Sequence, residues 1–481
     1  MVLAVGQEMQ LYSSPNLKDW TYESSFGEGQ GAHAGVWECP DLIELPVKGT
    51  ELKKWVLICN INPGGPFGGS ATQYFVGTFD GKQFVNESPA LTKWMDYGKD
   101  HYATVTWSNA PEDRKIALAW MSNWEYANNV PTSQYRSANS VPRDLVLYTK
   151  NGQTYLSSTP SPEVLKLRGK AQKKGSFKVD RSHEVNPILS GNAGTYEIEI
   201  KFKNNGADIM SFQLFNSKGE EVEMHYNLLD NTFTMDRRNS GATDFSKTFA
   251  TATSAPISAA KEYTLRLLVD NCSIEAFDGN GEFVMTNLVF PEEPYNRISF
   301  NAKGGAFTVT SLTIYPFKSL KTKYIMEKSK PVVVGIGELL WDVFPEVKKA
   351  GGAPINFVYH ATQLGAEGYA ISAVGNDVFG TEIIQELDKN GIDSNYISTV
   401  EYPTGSVMVE LKNGIPSYTI IEGVAWDHIP LTQASIDLMK RADAVCFGTL
   451  AQRAAESRET LRTLLSYMPS HALRFFDINI R

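Results

Sequence analysis

The chain has 481 residues, 42% of them hydrophobic and 21% charged. That is the balance of an ordinary water-soluble globular protein, and the length calls for about three domains rather than one core. The net charge of -9 comes with no basic run, which argues against a nucleic-acid partner. No apolar stretch approaches the roughly 20 residues that cross a bilayer, so no membrane partner is expected. Cys39, Cys59, Cys272 and Cys446 lie far apart without metal-ligand spacing, which argues against a disulfide framework and for no bound metal. The first six residues hold neither a positive stretch nor a small-residue cleavage site, so the polypeptide as written is expected in the cytoplasm.

In residues 1–161, short apolar runs at 9–13, 55–59, 73–78, 104–107 and 115–121 alternate with turn chemistry such as Asp80-Gly81 and Pro63-Gly64-Gly65. Many short antiparallel strands without a helical period predict a propeller or a sandwich. Within them, Gly35-Val36-Trp37-Glu38-Cys39-Pro40-Asp41-Leu42 sets one carboxylate between an indole and a thiol, with a proline that stops a regular ladder. The pattern predicts Glu38 at a strand end, aimed into a cleft. Partly dehydrated by its neighbours, its carboxyl would favour the protonated form that a general acid needs.

Residues 162–319 continue in strands. Tyr196, Ile198, Ile200 and Phe202 alternate with Glu197, Glu199 and Lys201, which predicts a strand with one wet face. Strands are also expected at 232–237 and 263–269, and Asp278-Gly279-Asn280-Gly281 predicts a hairpin between 273–277 and 282–285. Together these make a β-sandwich. The polar, Lys-rich segment 320–330 reads as a linker.

From 331 to 481 the period changes. A buried strand at 332–337 is followed by helices at 352–364, 381–390, 432–441 and 457–468, alternating with strands at 369–374, 444–447 and 474–476, an α/β doubly wound pattern. A hairpin, 405–411 and 415–421 around Asn413-Gly414, interrupts the alternation and could serve as a lid.

The Glu38 stretch resembles the acid/base signature of glycoside hydrolase family 32, the invertases, inulinases and levanases. Ser13-Ser14-Pro15-Asn16-Leu17-Lys18-Asp19-Trp20, Trp94-Met95-Asp96-Tyr97-Gly98-Lys99-Asp100-His101-Tyr102-Ala103 and Ala119-Trp120-Met121-Ser122-Asn123-Trp124 resemble that family in the same order. Met235-Asp236-Arg237-Arg238-Asn239-Ser240-Gly241 and the segment 270–277 are similar to its C-terminal sandwich. The resemblance implies part of a five-bladed β-propeller and a retaining mechanism in which two carboxyls flank the glycosidic bond. Glu38 would be the general acid/base, and Trp37, Asp96, Asp100, Tyr102 and Trp120 would bind the fructosyl unit, without a cofactor. The family's nucleophile belongs to an Asn-Asp-Pro-Asn-Gly block and its transition-state stabiliser to an Arg-Asp-Pro block. Neither occurs in this sequence, so the chain by itself is expected to be a poor or inactive hydrolase.

Gly337-Glu338-Leu339-Leu340-Trp341-Asp342, Gly351-Gly352-Ala353-Pro354-Ile355-Asn356 and Gly375-Asn376-Asp377-Val378-Phe379-Gly380 resemble the ribokinase-like sugar kinases, fructokinases above all. By that resemblance Asp342, Gly352, Asn356 and Asn479 would bind sugar hydroxyls. ATP and Mg would serve only an intact kinase, since the family's phosphate-binding glycine loop is expected beyond Arg481. The expected architecture is therefore multi-domain: an all-β partial five-bladed propeller and a β-sandwich, then a partial α/β ribokinase-like domain. The expected function is β-fructosidase action on fructan, sucrose or related fructosides, joined to a fructokinase-like segment that takes the released fructose. The competing expectation is a non-catalytic fusion product with at most a carbohydrate-binding or structural role. The intact parent hydrolase would be secreted or periplasmic. The residues do not specify an oligomeric state.

Overall fold

The computed structural model describes every residue except 134, 186–193, 319–329, 345–346, 413–414 and 479–481. The chain divides into two compact units, Met1–Ser319 and Leu320–Arg481. The expected linker at 320–330 lies outside the described residues apart from Lys330.

The first unit opens with three antiparallel sheets in chain order. Val2–Val5, Glu8–Ser13 and Thr21–Phe26 form the first. The second follows the chain through Val36–Pro46, Lys53–Asn62, Ala71–Phe79 and Phe84–Asn86, with Lys93–Trp94 also paired to Ala71–Phe79. The third gathers Tyr102–Thr106, Ile116–Met121, Ala138–Asn139, Arg143–Lys150 and Gln153–Pro160. The second sheet is covered on both faces. Val56 and Ile58 pack with Leu145 and Leu147 of the third sheet, whereas Leu57 and Cys59 pack with Met9, Leu11 and Phe26 of the first. A strand buried on both sides has no wet face, which is why 55–59 reads as an unbroken apolar run.

Two larger sheets follow, packed face to face. One has seven strands, running Gln172–Lys174, Phe307–Pro316, Tyr196–Asn204, Glu262–Asp270, Ser273–Asp278, Val284–Leu288, with Phe177–Val179 also on Phe307–Pro316. The other has six, running Ser182–Val185, Arg297–Lys303, Ile209–Phe215, Glu221–Asn227, Thr232–Asp236, Ala252–Pro256. Ile198, Ile200, Leu265 and Leu267 of one meet Phe212, Leu214, Met224 and Met235 of the other, the interdigitated interior of a β-sandwich. The wet face expected for Tyr196–Asn204 is only partly wet. Glu197 is fully buried, because Arg168 reaches over it (2.7 and 2.5 Å) and Arg266 pairs with it from the neighbouring strand.

In the second unit, five parallel strands are ordered Ile397–Val400, Glu367–Gly375, Val332–Ile336, Ala444–Gly448, Leu473–Asp477. The helices are α1 (Ala353–Gln363), α2 (Val378–Lys389), α3 (Gln433–Met439) and α4 (Ala455–Ser466). Pro354 sits in the first turn of α1, where its missing N–H costs nothing. The expected hairpin exists as Gly405–Lys412 paired with Ile415–Ile420, although its Asn413-Gly414 turn lies outside the described residues. It is not a free-standing flap: it completes a second sheet through parallel pairing of Gly405–Lys412 with Leu340–Val343, which also pairs Lys348–Gly351. Among the described residues no helix is long and apolar enough to cross a membrane.

Candidate active site

Glu38 lies on Val36–Pro46 where that strand departs from regular pairing. Glu38 stands opposite Asn60, but the next register pair is Asp41 with Ile58. Cys39 and Pro40 thus form a bulge, with Cys39 in the left-handed region at φ 45°. Bulges re-aim side chains, and this one is held in place. Buried Asn60 donates through Nδ2 to the Cys39 carbonyl (3.1 Å) and the Thr104 carbonyl (3.2 Å), while its Oδ1 accepts from Thr104 N (2.9 Å) and Thr72 Oγ1 (2.7 Å). Asp41 accepts from Thr106 N (2.8 Å) and Oγ1 (2.6 Å). The second and third sheets are therefore stapled on either side of the bulge.

The staples bring Tyr102 to Glu38. The phenol is 3% exposed and donates to Glu38 Oε2. Burial first, and then the carboxylate itself, push Tyr102 far above its usual range, so it stays a hydrogen-bond donor at any working pH. Tyr102 pairs with Trp120 across the third sheet, the two rings meeting edge to face at 6.2 Å, and Trp124 lies 4.9 Å beyond. Trp120 is half-buried and Trp124 is 53% exposed. A carboxyl gripped by a phenol beside two open indole faces can donate a proton to an oxygen of a ring that stacks on those faces.

The structure corrects three expectations here. Trp37 does not face the site, because adjacent strand residues point to opposite sides. Its indole is buried with Phe75 (5.8 Å) and donates to the Ala32 carbonyl (2.8 Å). For the same reason Trp37 does not dehydrate Glu38, which is exposed.

Asp96 and Asp100, expected at the sugar, are instead buried where the third sheet meets the sandwich. Asp96 accepts from Arg143 Nη1 (2.8 Å), from Thr286 N (2.8 Å) and Oγ1 (2.6 Å), and from Gly98 N (2.7 Å). Arg143 also donates to Glu275 (2.6 Å). Burial would raise Asp96, but His101, Arg143 and the Thr286 bond outweigh it and bring the carboxyl to about 2. Burial pushes His101 itself down to about 3, so it is neutral at pH 7 and Arg143 supplies the counter-charge. Asp100 accepts from Tyr126 Oη (2.6 Å), Leu288 N (2.8 Å) and Arg237. These acceptors are filled by protein. Gly98 marks how close the two parts come: a Cβ there would lie 1.9 Å from the Thr286 carbonyl oxygen.

In the second unit, Gly352 precedes α1 at φ 118°, where a Cβ would fall 2.0 Å from the Glu338 carbonyl oxygen. The Asp342 carboxylate lies beside Gly351: a Cβ on Gly351 would sit 2.6 Å from Asp342 Oδ2. Asn356 is exposed in the first turn of α1. Asn479 lies outside the described residues. Sequence reasoning passed over Glu338, which is 2% exposed and substitutes for the side-chain cap that α1 lacks, its Oε1 accepting from Ala353 N (3.2 Å). Its Oε2 has no partner among the described residues, and burial raises the carboxyl to about 7. Asn60, Trp124, Arg143 and Glu275 were also missed. Glu338, Trp124 and Glu275 fell inside motifs singled out in the sequence, whereas Asn60 and Arg143 did not. Among the described residues, no three His, Cys, Asp or Glu side chains gather to hold a metal ion.

Comparison with known proteins covers the whole of this arrangement. Residues 1–160 match the glycosyl hydrolases family 32 N-terminal domain, 163–316 the glycosyl hydrolases family 32 C-terminal domain, and 334–481 the pfkB family of carbohydrate kinases. The chain is 40% identical over 327 residues to a levanase of Bacillus subtilis, covering 66% of this chain and 48% of the relative. It is 32% identical to an extracellular exo-inulinase of Aspergillus awamori, covering 65% and 60% respectively. The chain thus spans roughly half the length of these curated relatives. Its structure is similar to that of the exo-inulinase from Aspergillus awamori, at TM-score 0.60 and 29% identity over 66% of this chain and 64% of that one. It is also similar to the β-fructofuranosidase from Schwanniomyces occidentalis complexed with fructosyl-erythritol, at TM-score 0.58 and 29% identity over 66% and 67%. The chain belongs, through residues 1–316, to glycosyl hydrolases family 32 and carries behind that region a domain of the pfkB carbohydrate kinase family.

Proposed function

We propose that the first unit is the acid/base half of a retaining β-fructosidase acting on fructans and related fructosides. In this reading residues 1–161 form part of a five-bladed propeller and 162–319 its companion sandwich. Glu38 protonates the leaving oxygen and later deprotonates the attacking water, Tyr102 fixes the carboxylate, and Trp120 with Trp124 supports the fructosyl ring. The observation that carries the reading is the Glu38–Tyr102 hydrogen bond at a pinned bulge beside those two indoles. No Asn-Asp-Pro-Asn-Gly or Arg-Asp-Pro block occurs in the sequence, so the reading includes slow fructose release by these 481 residues alone.

The test is fructose release from levan, inulin and sucrose. A positioned general acid is worth on the order of 100-fold or more, so Glu38→Gln is expected to lower whatever rate the chain shows by that factor. An unchanged rate in the variant would remove Glu38 from the chemistry. No release from wild type, with fructo-oligosaccharide still bound, would favour the carbohydrate-binding reading.

For the second unit we propose a sugar-binding segment built on Asp342, Gly352 and Asn356, with Asn479 as a further contact, and fructose as the sugar. Domains of this family use ATP and Mg in general.

A further inference from the structure

A concave site lies at the seam between the third sheet of the first unit and the sandwich, lined by none of the residues around Glu38. Its volume is about 140 Å³, below the roughly 300 Å³ at which sites for drug-sized ligands begin, so it has room for one ring. Trp94, Tyr97, Tyr148 and Tyr155 supply an aromatic wall, with Lys150 and Glu282 beside them.

That wall is pre-formed. Tyr148 and Tyr155 stand opposite each other on Arg143–Lys150 and Gln153–Pro160, their rings stacked at 5.7 Å. Lys93 is 5% exposed and sets its Nζ 5.0 Å from the Tyr155 ring centre while donating to the Thr154 carbonyl (2.7 Å) and to Ser88 Oγ (3.2 Å). Tyr97 is fixed through its backbone N–H, which donates to the Val284 carbonyl (2.8 Å).

The hydroxyls of Tyr97, Tyr148 and Tyr155 are left open. Among the described residues none of the three has a hydrogen-bond partner, and none is sealed from solvent, the side chains being half-buried. They converge, since Tyr74, whose own hydroxyl accepts from Leu156 N (3.0 Å), feels all three electrostatically. Burial and then Tyr155 push Tyr97 up to about 12, and burial and then Glu282 push Tyr148 up as well, so both keep an O–H that donates and accepts. Lys150 and Glu282 pair at 3.1 Å, which cancels their charges and leaves an ion little to seek here. A flat aromatic ligand would stack but leave the hydroxyls unanswered. A sugar ring answers both features, with C–H faces for the aromatic rings and adjacent hydroxyls for the phenols.

We propose that this cavity is a saccharide-binding site remote from Glu38, holding one neutral sugar ring against Trp94 and Tyr148, with the Tyr97, Tyr148 and Tyr155 hydroxyls bonded to the hydroxyls of that ring. That the ring is a fructosyl unit rests on the function proposed above; the preference for a neutral sugar does not.

The experiment is a kestose titration of the full chain labelled with fluorotyrosine, read by fluorine NMR. The resonances of Tyr97, Tyr148 and Tyr155 are identified by their loss in the three single Tyr→Phe variants, so the signal belongs to this cavity whatever binds elsewhere. Kestose is expected to shift all three saturably, and at the same concentrations in a Trp120→Ala, Asp342→Ala double variant, in which the other two proposed sugar sites are disabled. Tyr148→Phe, followed at Tyr97 and Tyr155, is expected to raise the half-saturating concentration about fivefold or more without lowering Tm, since its hydroxyl has no protein partner to lose. No shift at these tyrosines, shifts that vanish in the double variant, or undiminished binding in Tyr148→Phe each overturns the proposal. Glycerol acting at the same concentrations as kestose overturns the assignment to a sugar. Fructose release by the unlabelled chain is read separately, so failure of the Glu38 assignment and failure of this one give different results.

Discussion

At the scale of single residues, burial decides which carboxylates are available for chemistry. Asp96, Asp100 and Glu38 all sit in segments that resemble one family's motifs, but only Glu38 is exposed. The aspartates have their oxygens filled by arginine, threonine, tyrosine and backbone donors.

Glu338 shows the opposite situation, a buried carboxyl with one oxygen unpaired among the described residues. Its value of about 7 lies above the 4.5 of an ordinary glutamate, and burial is the main cause. A raised folded-state value means that the protonated form is favoured by folding. The stability it contributes is present below pH 4.5 and is lost as pH rises to about 7. Urea unfolding is therefore expected to show wild type losing up to about 3 kcal/mol more than Glu338→Gln between pH 4.5 and pH 8. Parallel pH profiles for the two proteins would contradict this.

At the scale of elements, the bulge on Val36–Pro46 is the part that does most to place the site. Cys39 adopts φ 45°, a region that costs an L residue with a Cβ roughly 1 kcal/mol and glycine almost nothing. Cys39→Gly is expected to keep the bulge and to leave stability unchanged or raised by up to about 1 kcal/mol in chemical denaturation. A loss of more than about 1 kcal/mol would mean that the side chain matters more than the backbone strain. The pinning by Asn60 and Asp41 is what makes the bulge a fixed feature, since each side chain bonds to backbone of Tyr102–Thr106 as well as to side chains.

At the scale of the molecule, two buried arginines join the three-sheet region to the sandwich. Arg143 connects Asp96 with Glu275, and Arg237 connects Asp100 with Tyr126. Both arginines are 0% exposed. Removing one member of such a pair strands the other charge without water, a cost of about 3–5 kcal/mol. Asp100→Ala is expected to lose that much in urea unfolding. A loss under about 1 kcal/mol would mean that the contact is not a joint between the two parts.

Much of this organisation was legible in the residues. Alternation and turn chemistry marked the strands, and Pro354 and the glycines around α1 and α2 marked helix ends within a few positions, because these signals depend on the local backbone. The motif blocks around Glu38 and Gly351-Gly352 identified the families for the same reason, being contiguous in the chain. The sequence by itself determined what each segment is made of: which stretches pair as strands, which coil as helices, and where a carboxylate stands between an indole and a thiol. Tertiary structure alone decided which polar groups face water. Asp96 finds Thr286 190 residues away, and Asp100 finds Arg237 137 residues away. The reason is that exposure and pairing depend on what packs against a side chain, and that neighbour comes from a distant part of the chain.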